Sequence, residues 1–128
     1  MTRVHDMGGR FGDGAVVPED ETGPVFHEDW HARALAMTVA AGFLGQWNLD
    51  MSRHAREGLA PTDYARFSYY EKWMAGLADL LVATGVLTED DLAGRGASAR
   101  HPLAERALTR DTVAAAVRAA AARSRELG

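Results

Sequence analysis

The stretch that decides the fold runs Trp47-Asn48-Leu49-Asp50-Met51-Ser52-Arg53, turns between Gly58 and Pro61, and resumes as Ser68-Tyr69-Tyr70-Glu71-Lys72-Trp73. Asn48 is a strong N-cap for a short helix over residues 49–57, which Gly58 closes. Pro61 suits a first-turn position and opens the longest predicted helix, over residues 61–84, with Gly85 as its stop. Along it Tyr69/Tyr70, Trp73/Met74, Leu77 and Leu80/Leu81 recur every three or four residues, the period of one apolar helical stripe. Two of the three tryptophans and all three tyrosines of the chain fall in this block. That is more aromatic surface than one small helical core needs, and phenol hydroxyls need partners. The block is therefore read as a face offered to another molecule.

Upstream, Trp30, Ala34, Met37, Ala41 and Leu44 keep helical spacing over residues 28–44, with Glu28 and Asp29 where the helix dipole favours negative charge. Gly45 is a natural stop. Downstream, Thr88-Glu89-Asp90-Asp91-Leu92 has the form of a capping box and predicts a short helix, broken by Gly94 and Gly96. Residues 95–106, with Pro102, are expected to be a loop. Residues 112–127 are rich in Ala and Arg, a strongly helical composition whose small side chains suit lying against another surface. Nothing alternates as a strand does. The expected fold is all-α, with about five helices in a domain over residues 27–128.

Residues 1–26 follow neither period. Gly8, Gly9, Gly12, Gly14 and Gly23 loosen the backbone, while Pro18 and Pro24 remove donors. This is an arm that could reach about 80 Å at roughly 3.3 Å per residue. Val4, Met7, Phe11, Val16 and Val17 give it something to dock with.

The chain has 128 residues, which fits one domain. Its net charge is −4 and it has a single lysine, so it carries no general attraction for nucleic acid. No apolar run approaches the roughly 18 residues of a membrane span. The first residues have neither secretory nor transit character, which leaves the cytoplasm as the expected location. The absence of cysteine removes disulfides, thiolate metal ligands and thiol nucleophiles together.

His27-Glu28-Asp29-Trp30-His31 formally matches HExxH, which on a helix would place both imidazoles on one face for zinc. It falls at a helix start, and only Asp50 or Glu57 offers a third ligand, so capping and surface histidines account for it better than a small zinc peptidase does. Arg53 has two readings. Its guanidinium can grip an oxyanion with two charge-assisted bonds, or pair with Asp50 or Glu57 on its own helix.

In order along the chain, Val4-His5-Asp6-Met7-Gly8-Gly9, Gly12, Gly23-Pro24-Val25-Phe26-His27-Glu28-Asp29-Trp30, Asp50 to Arg53, Tyr69-Tyr70-Glu71-Lys72-Trp73 and Gly85-Val86-Leu87-Thr88 resemble the N-terminal helical half of the nitrile hydratase beta subunit. That resemblance implies a non-metal subunit of an enzyme converting nitriles to amides at Co(III) or Fe(III), held by partly oxidised cysteines of an alpha-type partner. It implies that this chain binds no cofactor or metal itself. The arm, with His5, Asp6, Gly8 and Gly9, would wrap that partner. Arg53 would bond the oxidised sulfurs and Tyr69 would act beside the metal, both as catalytic residues, while Trp73, Trp47 and Leu35 would line the substrate pocket.

Two departures from the family are visible. Arg3 stands where a glycine is common, and the sequence lacks the SH3-like β-barrel that follows in typical beta subunits. The barrel is expected on a separate subunit, as in three-subunit relatives such as thiocyanate hydrolase and toyocamycin nitrile hydratase. Nitrile hydratase activators, which deliver metal, resemble the same half but generally lack the arm motif and the Arg53 match. A metallochaperone role is thus the alternative.

Overall fold

A computed structural model describes residues 14–95 and 100–127. It contains α1 (Asp29–Gly42), α2 (Leu49–Glu57), α3 (Pro61–Arg66), α4 (Tyr69–Ala83), α5 (Glu89–Leu92) and α6 (Val113–Leu127), with a 3-10 helix at Pro102–Arg106. Among the described residues no strand occurs, and the all-α expectation is met. None of their helices is long and apolar enough to cross a membrane.

The helix expected over residues 61–84 is two helices. Phe67 at ψ 139° and Ser68 at ψ 171° leave the helical region between them. The cause is a terminus written into the apolar stripe: Ser68 backbone N–H donates to Glu71 Oε2 at 2.6 Å, so α4 starts afresh at Tyr69. The same backbone bond, then the Ser68 hydroxyl, holds the Glu71 carboxyl below the usual carboxylate range.

Other helix ends follow their predicted signals. Asn48 Oδ1 accepts from Met51 N–H at 2.8 Å. Thr88 N–H donates to Asp91 Oδ2 at 2.8 Å and Asp91 N–H returns a bond to Thr88 Oγ1 at 3.1 Å. α4 closes at Gly85, whose φ of +73° an L side chain rarely adopts. Val86 N–H reaches the Leu81 carbonyl at 2.9 Å and Gly85 N–H the Val82 carbonyl at 3.0 Å, a Schellman stop. The expected loop over residues 95–106 tightens into the 3-10 helix once Pro102 supplies a preset φ.

α4 is the centre of the fold, packing on both α1 and α2. Leu77 and Leu80 of α4 and Ala34 of α1 are the buried apolar side chains among the described residues. Gly76 is buried beside them. A Cβ there would stand 2.8 Å from Arg56 Cγ and 3.3 Å from Arg56 N, so the missing side chain lets α2 settle onto α4. A glycine inside a helix costs about 1 kcal/mol against alanine, and the close approach is what it permits here.

The flanks are less anchored. Residues 14–20 have no regular structure, and Val16 and Val17 are 91% and 88% exposed. Phe26 is half-buried, its ring centroid 6.1 Å from that of Tyr70. α6 is exposed along most of its length.

Candidate functional site

α2 and α4, with Tyr64 of α3, enclose an open groove of about 300 Å³ lined by Arg53, Arg56, Glu57, Tyr64, Tyr69, Lys72 and Trp73. Three of the residues singled out from sequence, Arg53, Tyr69 and Trp73, thus come together. Helical spacing does this: Tyr69 and Trp73 sit one turn apart on α4, and α2 lies against it with Arg53 on the groove side.

Arg53 is exposed and forms no ion pair or hydrogen bond through its side chain with any described residue. Asp50 and Glu57 do not take it up, so the self-paired reading of this guanidinium is not what the fold adopts. Tyr69 is 65% exposed at the groove edge. Its ring lies 5.0 Å from Tyr70 in an edge-on arrangement and 5.7 Å from Trp73. Tyr70 is the hub behind it, meeting Trp73 at 5.8 Å, His31 at 4.8 Å and Trp30 at 6.5 Å. Tilted and edge-on rings of this kind fix one another's orientation. Tyr69 and Trp73 therefore present a braced wall.

Trp73 carries a further mark. Its Nε1–H is buried and has no hydrogen-bond acceptor among the described residues. The Arg56 guanidinium covers its ring at 4.4 Å, and the Lys72 ammonium covers the Tyr64 ring at 4.0 Å. Sequence reasoning passed over Arg56. The available signal was its position one turn beyond Arg53, opposite a glycine in the interior of a predicted helix.

Leu35 does not join this groove. With Phe26, Ala36, Val39, Leu108 and Val113 it lines a second one, of about 490 Å³, between α1 and the start of α6. Trp47 is half-buried and lines neither groove. His5, Asp6, Gly8 and Gly9 lie outside the described residues.

The HExxH match does not form a metal face. His27 precedes α1 and contacts Glu19 at 3.4 Å, while His31 is inside the helix, its ring 4.4 Å from Trp30. Glu28 Oε2 is occupied by Trp30 Nε1–H at 2.8 Å. Among the described residues no three His, Asp or Glu side chains gather where a cation could sit.

Among the described residues, a guanidinium without a side-chain partner thus lies beside braced aromatic rings, in an open groove of a small helical module. The chain belongs to the family described as nitrile hydratase beta subunit, N-terminal, which matches residues 1–122. It is 40% identical over 92 residues to the low-molecular weight cobalt-containing nitrile hydratase subunit beta of Rhodococcus rhodochrous, covering 72% of this chain and 40% of the relative. It is 38% identical over 109 residues to the nitrile hydratase subunit beta of Pseudomonas putida, covering 85% of this chain and 49% of the relative. With the Rhodococcus erythropolis subunit beta the identity is 36% over 95 residues, or 72% of this chain and 45% of that one. The chain spans less than half the length of these relatives.

Proposed function

We propose that this chain acts as the helical, beta-type part of a heteromeric nitrile hydratase, adding water across a nitrile to give the amide, and that it completes an active site built on an alpha-type partner. The observation that carries this reading is the Arg53 guanidinium, without a side-chain partner among the described residues, in the groove beside Tyr69 and Trp73. The rest of the assembly follows the family pattern. The arm over residues 1–26, His5, Asp6, Gly8 and Gly9 included, wraps the alpha-type partner. The complex works in the cytoplasm.

This chain's donors do not suit the family's metal. It has no cysteine, and its described carboxylates and imidazoles do not cluster. In this reading the metal, Co(III) or Fe(III), belongs to the alpha-type partner. One relative carries cobalt in its name, which makes cobalt the first metal to test. When bound, such an ion supplies Lewis acidity for the addition of water.

The residues of this chain have other tasks. The Arg53 fork donates two parallel N–H bonds to oxygens of the partner's oxidised sulfurs, which a permanently charged planar cation does better than a lysine. The Tyr69 hydroxyl donates a hydrogen bond that orients substrate or water. Trp73 forms the wall against which the organic part of the nitrile lies.

The test is co-expression of the full chain with its alpha-type partner, comparing the native chain with Arg53→Lys. The variant is expected to assemble normally and lose about a hundredfold or more in kcat, the scale of losing one oriented donor to a charged site. Undiminished turnover in that complex would remove Arg53 from the mechanism. Absence of the chain from purified active enzyme would replace the subunit reading with the metallochaperone one.

A further inference from the structure

With Arg53 assigned to the partner, two more cations remain in the same groove: Arg56, one turn along α2, and Lys72, facing it from α4. Neither side chain has an ion pair or hydrogen bond with a described residue, and each instead rests on an aromatic face, Trp73 and Tyr64 respectively. Stacking uses the flat side of a guanidinium and leaves its in-plane N–H donors available.

Arg56 is also seated. It is half-buried, and its Cγ occupies space opposite Gly76 that a Cβ would close to 2.8 Å. Three cations lining one groove of about 300 Å³ repel one another, in a chain whose net charge is −4. Glu57 is the one acid in the lining, and it already has an interaction of its own. The walls of Trp73, Tyr64 and Tyr69 are flat and aromatic, and the volume lies at the small end of ligand pockets.

We propose that Arg56 and Lys72 form a carboxylate-binding subsite in this groove, so that the preferred substrates are planar nitriles that also carry a carboxylate. The substrate part of this inference rests on the nitrile hydratase reading, whereas the carboxylate site itself does not. A carboxylate accepts from the exposed edge of Arg56 and from the Lys72 ammonium, while its ring lies along Trp73. Arg53 stays free for the partner.

The experiment uses the assembled complex and two probes of matched shape, 4-cyanobenzoate and its neutral counterpart 4-nitrobenzonitrile. Binding is followed at the Trp73 indole N–H by NMR, and hydration by kcat/KM. The native complex is expected to prefer the anionic probe, in both binding and kcat/KM. Arg56→Gln should cut that preference by about tenfold or more, the scale of one charge-assisted contact. Lys72→Gln should cut it less, and added salt should weaken it.

Equal treatment of the two probes, or a preference untouched by both variants, overturns the proposal. So does an Arg56→Gln complex that assembles poorly while its selectivity is unchanged, because Arg56 then serves a partner carboxylate. A complex that binds 4-cyanobenzoate selectively but hydrates neither probe supports the carboxylate site and refutes the catalytic reading alone.

Discussion

α4 and α6 are helices of equal length, 15 residues each, yet they do different jobs. α4 carries Tyr69, Tyr70, Trp73, Leu77 and Leu80, side chains large enough to bury, and it packs on two neighbours. α6 carries mostly alanine and arginine and remains largely exposed. Propensity makes both into helices, but only side-chain size and placement anchor one of them. The candidate site gathers at the anchored one, where neighbouring rings brace Tyr69 and Trp73 and a glycine contact seats Arg56.

Substitutions can break this contrast or sharpen it. The largest effect on stability is expected from Leu77→Ala, which empties one of the few buried sites and should cost about 2–5 kcal/mol in denaturant unfolding. Gly76→Ala should come next. A Cβ there meets Arg56, and overpacking of about 1–3 kcal/mol outweighs the roughly 1 kcal/mol gained in helix propensity. The result should be a lower Tm together with a changed environment for Trp73.

A smaller effect belongs to Glu71 and depends on pH. Its carboxyl is held below the usual range by the Ser68 backbone N–H. Its contribution is therefore complete above the ordinary glutamate value of about 4.3 and is lost as pH falls through the lowered folded-state value. Glu71→Gln should flatten the acid limb of the stability profile and leave α6 unaffected. Val117→Ala on α6 should be smallest, within about 0.5 kcal/mol, since Val117 is 45% exposed. A loss as large as that of Leu77→Ala would show that α6 belongs to the core after all.

Much of this was legible in the sequence because it is local. Asn48, Thr88 and Gly85 each mark a helix end through a bond made within a few residues, and Pro61 marks one through its preset φ at the first turn. The meeting of Arg53, Tyr69 and Trp73 was also readable, from helical period and from the ordered family motifs.

What escaped depends on competition or on contacts between helices. The apolar stripe through Tyr69 and Trp73 hid the Ser68/Glu71 terminus, although its S-x-x-E pattern was present. Arg56 was missed because its importance lies in Gly76 and Trp73, residues of another helix. Leu35 lies off the stripe of Trp30, Ala34, Met37, Ala41 and Leu44, and its place in the pocket came only with the family resemblance; here it faces the α6 side.

The central claim is that Arg53, which has no side-chain partner among the described residues, takes its partner from another chain. The structure of the assembled complex tests it most directly. The account predicts the Arg53 guanidinium about 3 Å from oxygens on the partner's metal-site sulfurs, with Tyr69 and Trp73 facing the same cavity. A complex in which Arg53 remains in solvent, or is bonded to a surface carboxylate away from the metal, would contradict it.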